Sequence, residues 1–356
     1  KRSSYRNLAA LASCLDGNPP GDVNWDDVIS LANESLTISS LALATRTVPN
    51  LPQDVRDYLT VIHERNAERN RRLLAQLMEA VEHLNRVGIE PVVMKGAAIL
   101  LARPPEEIGA RILTDLDIFV RPADMRVAIT ALEAIGYEIR LDSGSWPGNP
   151  RYHLPAVLER PADVGSIDLH CRPKGPASFG EIEWLHGHSR RSTLAGHHVY
   201  LPSAFVQIVF LILHDQFQDG DYWRGLIDLR HILDIVKLAR LDYVDWGELR
   251  SLFAAGYERN AVDAQILTAL DLFEIDSASK LSFGIRARIQ LLRRQLQAGR
   301  NYLASPFAIL TLLSELPHYR RWDRFGGEPY PSRRKEAVRK IREIRRIFRS
   351  KPVGKL

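Results

Sequence analysis

Cysteine is nearly missing from this chain: Cys14 and Cys171 are the only two in 356 residues, and they lie far apart. That excludes a disulfide framework and a thiolate metal site, and it points to a reducing compartment. Long apolar runs are missing as well. The longest, AFVQIVFLIL at 204–213, falls well short of the ~20 residues that span a bilayer and fits a buried helix. The opening residues show no signal-peptide pattern, so the expected location is cytoplasmic. Neither sign of charge dominates, since 48 Lys and Arg face 43 Asp and Glu for a net charge of +5. The excess is concentrated in residues 319–356, which argues against a protein that coats nucleic acid over its whole surface.

What is present is an ordinary globular composition, 45% hydrophobic and 26% charged, at a length that suits two or three structural units. Residues 1–90 read as helical. Asn24 can cap a helix WDDVISLANESL, and after Pro49 and Pro52 a long helix is expected from about Gln53 to Val87. From Pro91 the period changes to short strands alternating with short helices: PVVMK, then GAAILLA, then RILTDLDIFV, then a helix started by Pro122. Further strands are expected at 137–141, 151–159, 164–171 and 197–201. Helices return at about 204–218, 222–240, 246–256, 259–273, 280–298 and 333–349. The expected division is therefore 1–90 helical, 91–202 an α/β core, 203–325 a second helical domain, and 326–356 a linker with a basic terminal helix.

The chemistry concentrates in the α/β stretch. Successive strand side chains alternate between faces, so Asp115 and Asp117 of TDLDIFV share one face while Leu116, Ile118 and Val120 take the other. Two carboxylates that close repel each other, and a divalent cation removes that cost. A third carboxylate, Asp168, recurs in SIDLH with His170 on its own face. Three carboxylates from two strands make a hard, oxygen-rich site suited to Mg²⁺, as one ion or two. Lys95-Gly96-Ala97 stands at a strand-to-helix junction, where glycine allows close backbone approach and free N–H groups can meet an anion. The combination is the one that phosphoryl or nucleotidyl transfer requires.

These pieces, with Arg111 before the DxD, Gly136-Tyr137 after the following helix and the later D-L-H strand, resemble the uncharacterised nucleotidyltransferase family of the DNA polymerase β-like superfamily. The resemblance covers about residues 91–172. It implies that Asp115 and Asp117 bind the metals, and that Asp168 binds the catalytic metal and assists deprotonation of the acceptor. It further implies that Gly96 and Ala97 hold the triphosphate of an NTP. Members of the superfamily commonly carry Gly-Ser at that turn; Ala97 has no hydroxyl, and Lys95 and Arg111 are the residues that can compensate.

Other polar residues carry weaker signals. His186, His188, His197 and His198 match no strong metal-ligand spacing, and HGHSRRSTLAGHH reads as a polar loop and an exposed strand. Arg224 and Asp228 can face a cleft and meet a base, ribose or acceptor, or they can pair within the helical bundle, where Trp223 packs. The segment EAVRKIREIRRIF gathers Val338, Ile341, Ile344, Ile347 and Phe348 on roughly one side. That pattern fits a docked helix with a solvated basic face, and nucleic acid or an anionic membrane is its alternative partner.

The expected protein is α+β, a small mixed β-sheet nucleotidyltransferase core flanked by N-terminal helices and a C-terminal helical domain. Its expected reaction is attack by an acceptor hydroxyl on the α-phosphate of an NTP, with ATP favoured, releasing pyrophosphate. The hydroxyl can belong to a sugar, another small molecule, a peptide or an RNA end. Two competitors remain: a DxD metal-dependent glycosyltransferase, and a non-catalytic nucleotide- or RNA-binding scaffold. The first normally places a longer nucleotide-binding α/β half before the motif, where this chain is helical. The second draws its support from Ala97.

Overall fold

The computed structural model describes residues 4–141, 156–171, 182–315 and 353–356. The SWPGNP loop, the 326–332 linker and the basic segment 333–349 lie outside the described residues, as does the first half of the expected 151–159 strand. In its described parts the chain forms two compact units, one of residues 61–141, 156–171 and 182–207, the other of 4–60, 208–315 and 353–356. Among the described residues no helix is long and apolar enough to cross a membrane.

Four helices lead the chain: α1 (Tyr5–Leu15), α2 (Trp25–Glu34), α3 (Ile38–Ala44) and the 34-residue α4 (Gln53–Arg86). Asn24 caps α2, its side chain accepting from the N–H of Asp27 at 3.1 Å. The sheet unit then follows with β1 (Val92–Val93), α5 (Lys95–Leu101), β2 (Asp115–Phe119), α6 (Met125–Glu133), β3 (Glu138–Leu141), β4 (Ala156–Glu159) and β5 (Ser166–His170). After α7 (Ile182–Gly187), a hairpin of β6 (Ser189–Leu194) and β7 (His197–Pro202) completes it.

The seven strands of the described residues join one mixed sheet in the order β3-β4-β5-β2-β1-β7-β6. The architecture is α+β, as expected. Strand β2 lies at its centre, antiparallel to β1 and parallel to β5. Its alternation explains why it folds there. Leu116, Ile118 and Val120 join one buried cluster with Leu73, Leu77, Val81 and Leu84 of α4 and Ile167 and Leu169 of β5. Each such side chain, fully buried, contributes about 1.5–3 kcal/mol. That apolar face commits Asp115 and Asp117 to the other side of the sheet.

A polar row on α4 reaches the backbone that leads into both carboxylate-bearing strands. Asn66 donates to the carbonyls of Gly109 and Arg111 at 2.8 and 2.9 Å, and Asn70 to those of Ile108 and Arg111 at 2.6 and 2.8 Å. Arg69 donates to the carbonyls of Leu113 and Val164, and Gln76 to that of Gly165. These carbonyls belong to loops, so no ladder satisfies them, and each would be costly to bury alone.

The helical unit continues through α8 (Ala204–Ile212), a π-helical turn (Leu213–Gln218), α9 (Asp221–Arg224), α10 (Leu229–Leu241), α11 (Trp246–Ser251), α12 (Tyr257–Leu272), α13 (Ile285–Gln297) and α14 (Ala304–Glu315). Two expectations are corrected here. The single helix expected over 222–240 is broken. Gly225 adopts φ +68°, where a Cβ would stand 2.8 Å from Arg293 Nε, and Asp228 restarts the helix by accepting from the N–H of His231 at 3.0 Å. Helix α14 has no counterpart in the sequence reading, because ASPFAILTLLSE is apolar on several sides and lacks the periodic polar face that marks a helix.

The α4 row generates a test. Asn70→Leu is expected to cost about 1–3 kcal/mol of stability by leaving the Ile108 carbonyl without its donor, while Asn66 keeps that of Arg111. It should also lower the activity of the folded fraction. Chemical denaturation alongside an activity assay measures both, and a neutral variant would show that α4 does not brace the DxD loop.

Candidate active site

The carboxylates meet because of strand register. In the parallel pair β2/β5, Asp117 stands opposite Asp168, Asp115 opposite Ser166 and Phe119 opposite His170. Opposed residues share a face, so the polar residues of two strands line one patch. Thr114 donates its hydroxyl to Asp115 at 3.0 Å and Ser166 to Asp168 at 3.3 Å. The imidazole of His170 lies parallel to the Phe119 ring, with centroids 5.2 Å apart, and its Nε2 is 2.9 Å from Asp117 Oδ1.

On the other side of β2, the N–H of Met94 donates to the carbonyl of Asp117 at 3.0 Å, which sets the start of α5 beside that residue. Lys95 follows with φ +48°, a left-handed conformation costly for a residue with a Cβ. Its ammonium contacts Asp117 Oδ1 at 2.6 Å. Gly96 is required next to it, because a Cβ there would collide with the Arg111 guanidinium and come within 2.9 Å of Leu113. Arg111 is buried against this turn, and the methyl of Ala97 points into the apolar core. A hydroxyl at Ala97 would therefore enter that core, and what this residue can still present is its backbone N–H.

The electrostatics separate the carboxylates. Burial raises the cost of ionising Asp117, yet the Lys95 ammonium and the His170 imidazole hold its carboxyl well below the usual range. Burial also pushes Asp168 up, to about 7, with the charges of Asp117 and Asp115 adding to it. Lys95 is half-buried, which lowers it, but Asp117 outweighs that and raises it, whereas burial lowers His170. Two opposed carboxylates with one driven towards its neutral form are what an added cation would relieve. The donor set fits that role: one ligand atom from each of Asp117, Asp168 and His170 lies within 4.8 Å of the others, and Asp115 shares their face.

The remaining sequence candidates have local roles. Asp228 caps α10, and Arg224 donates to the carbonyl of Asp219 at 2.9 Å, both within the helical unit. Trp223 is buried in an aromatic cluster with Tyr222 and Tyr257. The four histidines of the hairpin region do not converge: His186 stacks on Tyr200 and His188 on Trp184. Sequence reasoning missed the contact of Lys95 with Asp117 and the support from Asn66, Asn70 and Ser166. The available signals were a polar row at helical spacing on α4 and a serine two residues before Asp168.

A family model described as uncharacterised nucleotidyltransferase matches residues 21–273. Among solved structures, the antibiotic-resistance factor ANT(2'')-Ia in solution is 15% identical, with a TM-score of 0.36 over 56% of this chain and 95% of that one. ANT(2")-Ia in complex with adenylyl-2"-tobramycin is 14% identical, with a TM-score of 0.36 over 55% and 98%. An antigenic nucleotidyltransferase-like protein from Paracoccidioides brasiliensis is 15% identical, with a TM-score of 0.32 over 66% and 91%. No curated protein sequence matches significantly.

The raised Asp168 makes stability depend on pH. Its folded value of about 7 exceeds its ordinary 3.8, so between these the folded state keeps a proton that the unfolded state has lost. The contribution is fully present below 3.8 and lost as pH rises through about 7. In metal-free protein, the melting temperature of wild type relative to Asp168→Asn should therefore fall as pH rises across this window. Parallel melting profiles for the two proteins would contradict the assignment.

Proposed function

Because this chain belongs to the uncharacterised nucleotidyltransferase family, and is thus a transferase of nucleotidyl groups, we propose that the β2/β5 patch is its active site. It moves an NMP, from ATP in the favoured case, to an acceptor hydroxyl and releases pyrophosphate. The observation that carries the reading is the opposition of Asp117 and Asp168 on paired strands, beside a lysine-glycine turn.

Asp115, Asp117 and Asp168 are the proposed ligands of Mg²⁺. Bound there, Mg²⁺ would neutralise the clustered carboxylates and polarise the α-phosphate. Asp168 is assigned to take the proton of the acceptor hydroxyl. In the metal-free protein, burial and the charges of Asp117 and Asp115 raise it to about 7. His170, stacked on Phe119 and bonded to Asp117, orients that carboxylate.

The triphosphate is assigned to the turn that opens α5. Gly96 and Ala97 offer backbone N–H groups there, and Arg111 lies buried behind it with its charge. The Lys95 ammonium now balances Asp117. Its flexible four-carbon stem lets it exchange that partner for a phosphate oxygen when the carboxylate is otherwise neutralised. The acceptor is a hydroxyl-bearing sugar, small molecule or peptide.

The test is incubation of purified protein with each α-³²P-labelled NTP, Mg²⁺ and cell extract. Label should pass to an acceptor with ATP as the best donor. Asp117→Ala should reduce the rate by at least about 100-fold, as removal of several kcal/mol of charge stabilisation predicts. Transfer that persists in Asp117→Ala would remove the DxD from the mechanism. Failure to bind Mg–NTP would favour a scaffold.

A further inference from the structure

A second constellation of metal-ligating side chains lies within the helical unit, on elements that the active site does not use. The π-helical turn between α8 and α9 presents His214 and Asp215, and the first turn of α10, restarted by the break at Gly225, presents His231. Such π-turns recur at functional sites, because the extra residue re-aims side chains that a regular helix would send elsewhere. The two imidazoles meet edge to face, with ring centroids 5.3 Å apart. One ligand atom from each of His214, Asp215 and His231 falls within 4.8 Å of the others.

The surroundings are built to hold these groups in place. Gln265 donates to Asp215 Oδ2 at 3.0 Å, Gln216 donates to Gln265 at 2.7 Å, and Arg294 donates to Gln216 at 3.0 Å, all buried. Asp215 Oδ1 faces His231 Nδ1 at 2.7 Å. Two more carboxylates approach the imidazoles, with Asp228 Oδ2 3.5 Å from His231 Nδ1 and Asp219 Oδ2 3.8 Å from His214 Nδ1. A carboxylate oriented by a chain of buried donors is the support that metal ligands require.

A cation already stands at the edge of the group. Residues 353–356 are tied to the α9–α10 link by two backbone hydrogen bonds between Ile227 and Leu356, both 3.0 Å. They carry the Lys355 ammonium to 2.6 Å from Asp221, 2.8 Å from Asp219 and 3.6 Å from Asp215. The second oxygen of Asp221, on a side chain with no exposure, faces the Arg224 guanidinium at 3.7 Å but has no hydrogen-bond partner among the described residues. Buried carboxylate oxygens without donors are costly.

We propose that His214, Asp215 and His231 form a second metal site, selective for a borderline transition ion of the Zn²⁺ class. Lys355 is the resident cation that competes with it. Two imidazoles and one carboxylate make a nitrogen-rich set, unlike the three carboxylates of the sheet unit, and three protein ligands leave a position for Asp228, Asp219 or water. Entry of the ion replaces the contact between His231 Nδ1 and Asp215 Oδ1, and it makes the Lys355 ammonium less welcome by like-charge repulsion. The site does not depend on nucleotidyl transfer.

The experiment titrates the full chain carrying Asp117→Asn and Asp168→Asn, which weakens the sheet site, with Co²⁺ alone. Visible d–d absorption and calorimetry are recorded, and calorimetry is repeated with Zn²⁺. One ion per chain should bind, with the intense band of a four- or five-coordinate site. Adding His231→Gln should weaken binding by at least about tenfold. Adding Lys355→Met should tighten it, and this substitution leaves all three ligands in place. Absence of stoichiometric binding would overturn the proposal. So would binding insensitive to both His231→Gln and Lys355→Met in proteins whose circular dichroism and melting match the parent.

Discussion

Opposition of Asp117 and Asp168 across the parallel β2/β5 pair is the constraint around which the sheet unit is organised. Two carboxylates forced onto one buried patch are unfavourable by themselves. The fold answers with an ammonium on one and a raised proton affinity on the other. That unequal division leaves Asp117 ionised, bonded to Lys95 and His170, and Asp168 poised near neutrality. The same repulsion is what a divalent cation would relieve.

Holding such a patch requires a rigid frame, and it comes from the opposite face. Leu116, Ile118 and Val120 lock β2 against α4, while Asn66, Asn70 and Gln76 on that helix satisfy the loop carbonyls at the entrances to β2 and β5. A one-residue slip of β2 would bury both aspartates in the apolar layer and expose three core residues. Gly96 closes the arrangement, since only a residue without a Cβ admits the Arg111 guanidinium at the start of α5.

The helical unit shows a related economy with charge. A glycine in the left-handed region interrupts what would be one helix, and the restart at Asp228 turns His231 towards Asp215. Buried aspartates there are balanced by histidines and by Lys355, which arrives from the far end of the chain. Nothing in the local sequence of 214–231 announces a lysine more than a hundred residues away.

Legibility followed locality. The alternation in TDLDIFV, the Asn24 cap and the long apolar periodicity of α4 were readable because each depends on residues within a few turns of one another. The DxD and Asp168 could be placed on strands for the same reason. The break at Gly225 was masked by flanking residues with good helical periodicity, and α14 by apolar residues on several faces. By itself, the sequence determined the α+β class, the strand faces and the family, through short-range patterns that backbone geometry makes obligatory. Tertiary structure alone decided the β2/β5 register, the Lys95 contact with Asp117, the burial of Ala97 and the meeting of Lys355 with Asp215, Asp219 and Asp221. These depend on which distant surfaces bury each other, and on how buried charges then pair to offset lost water.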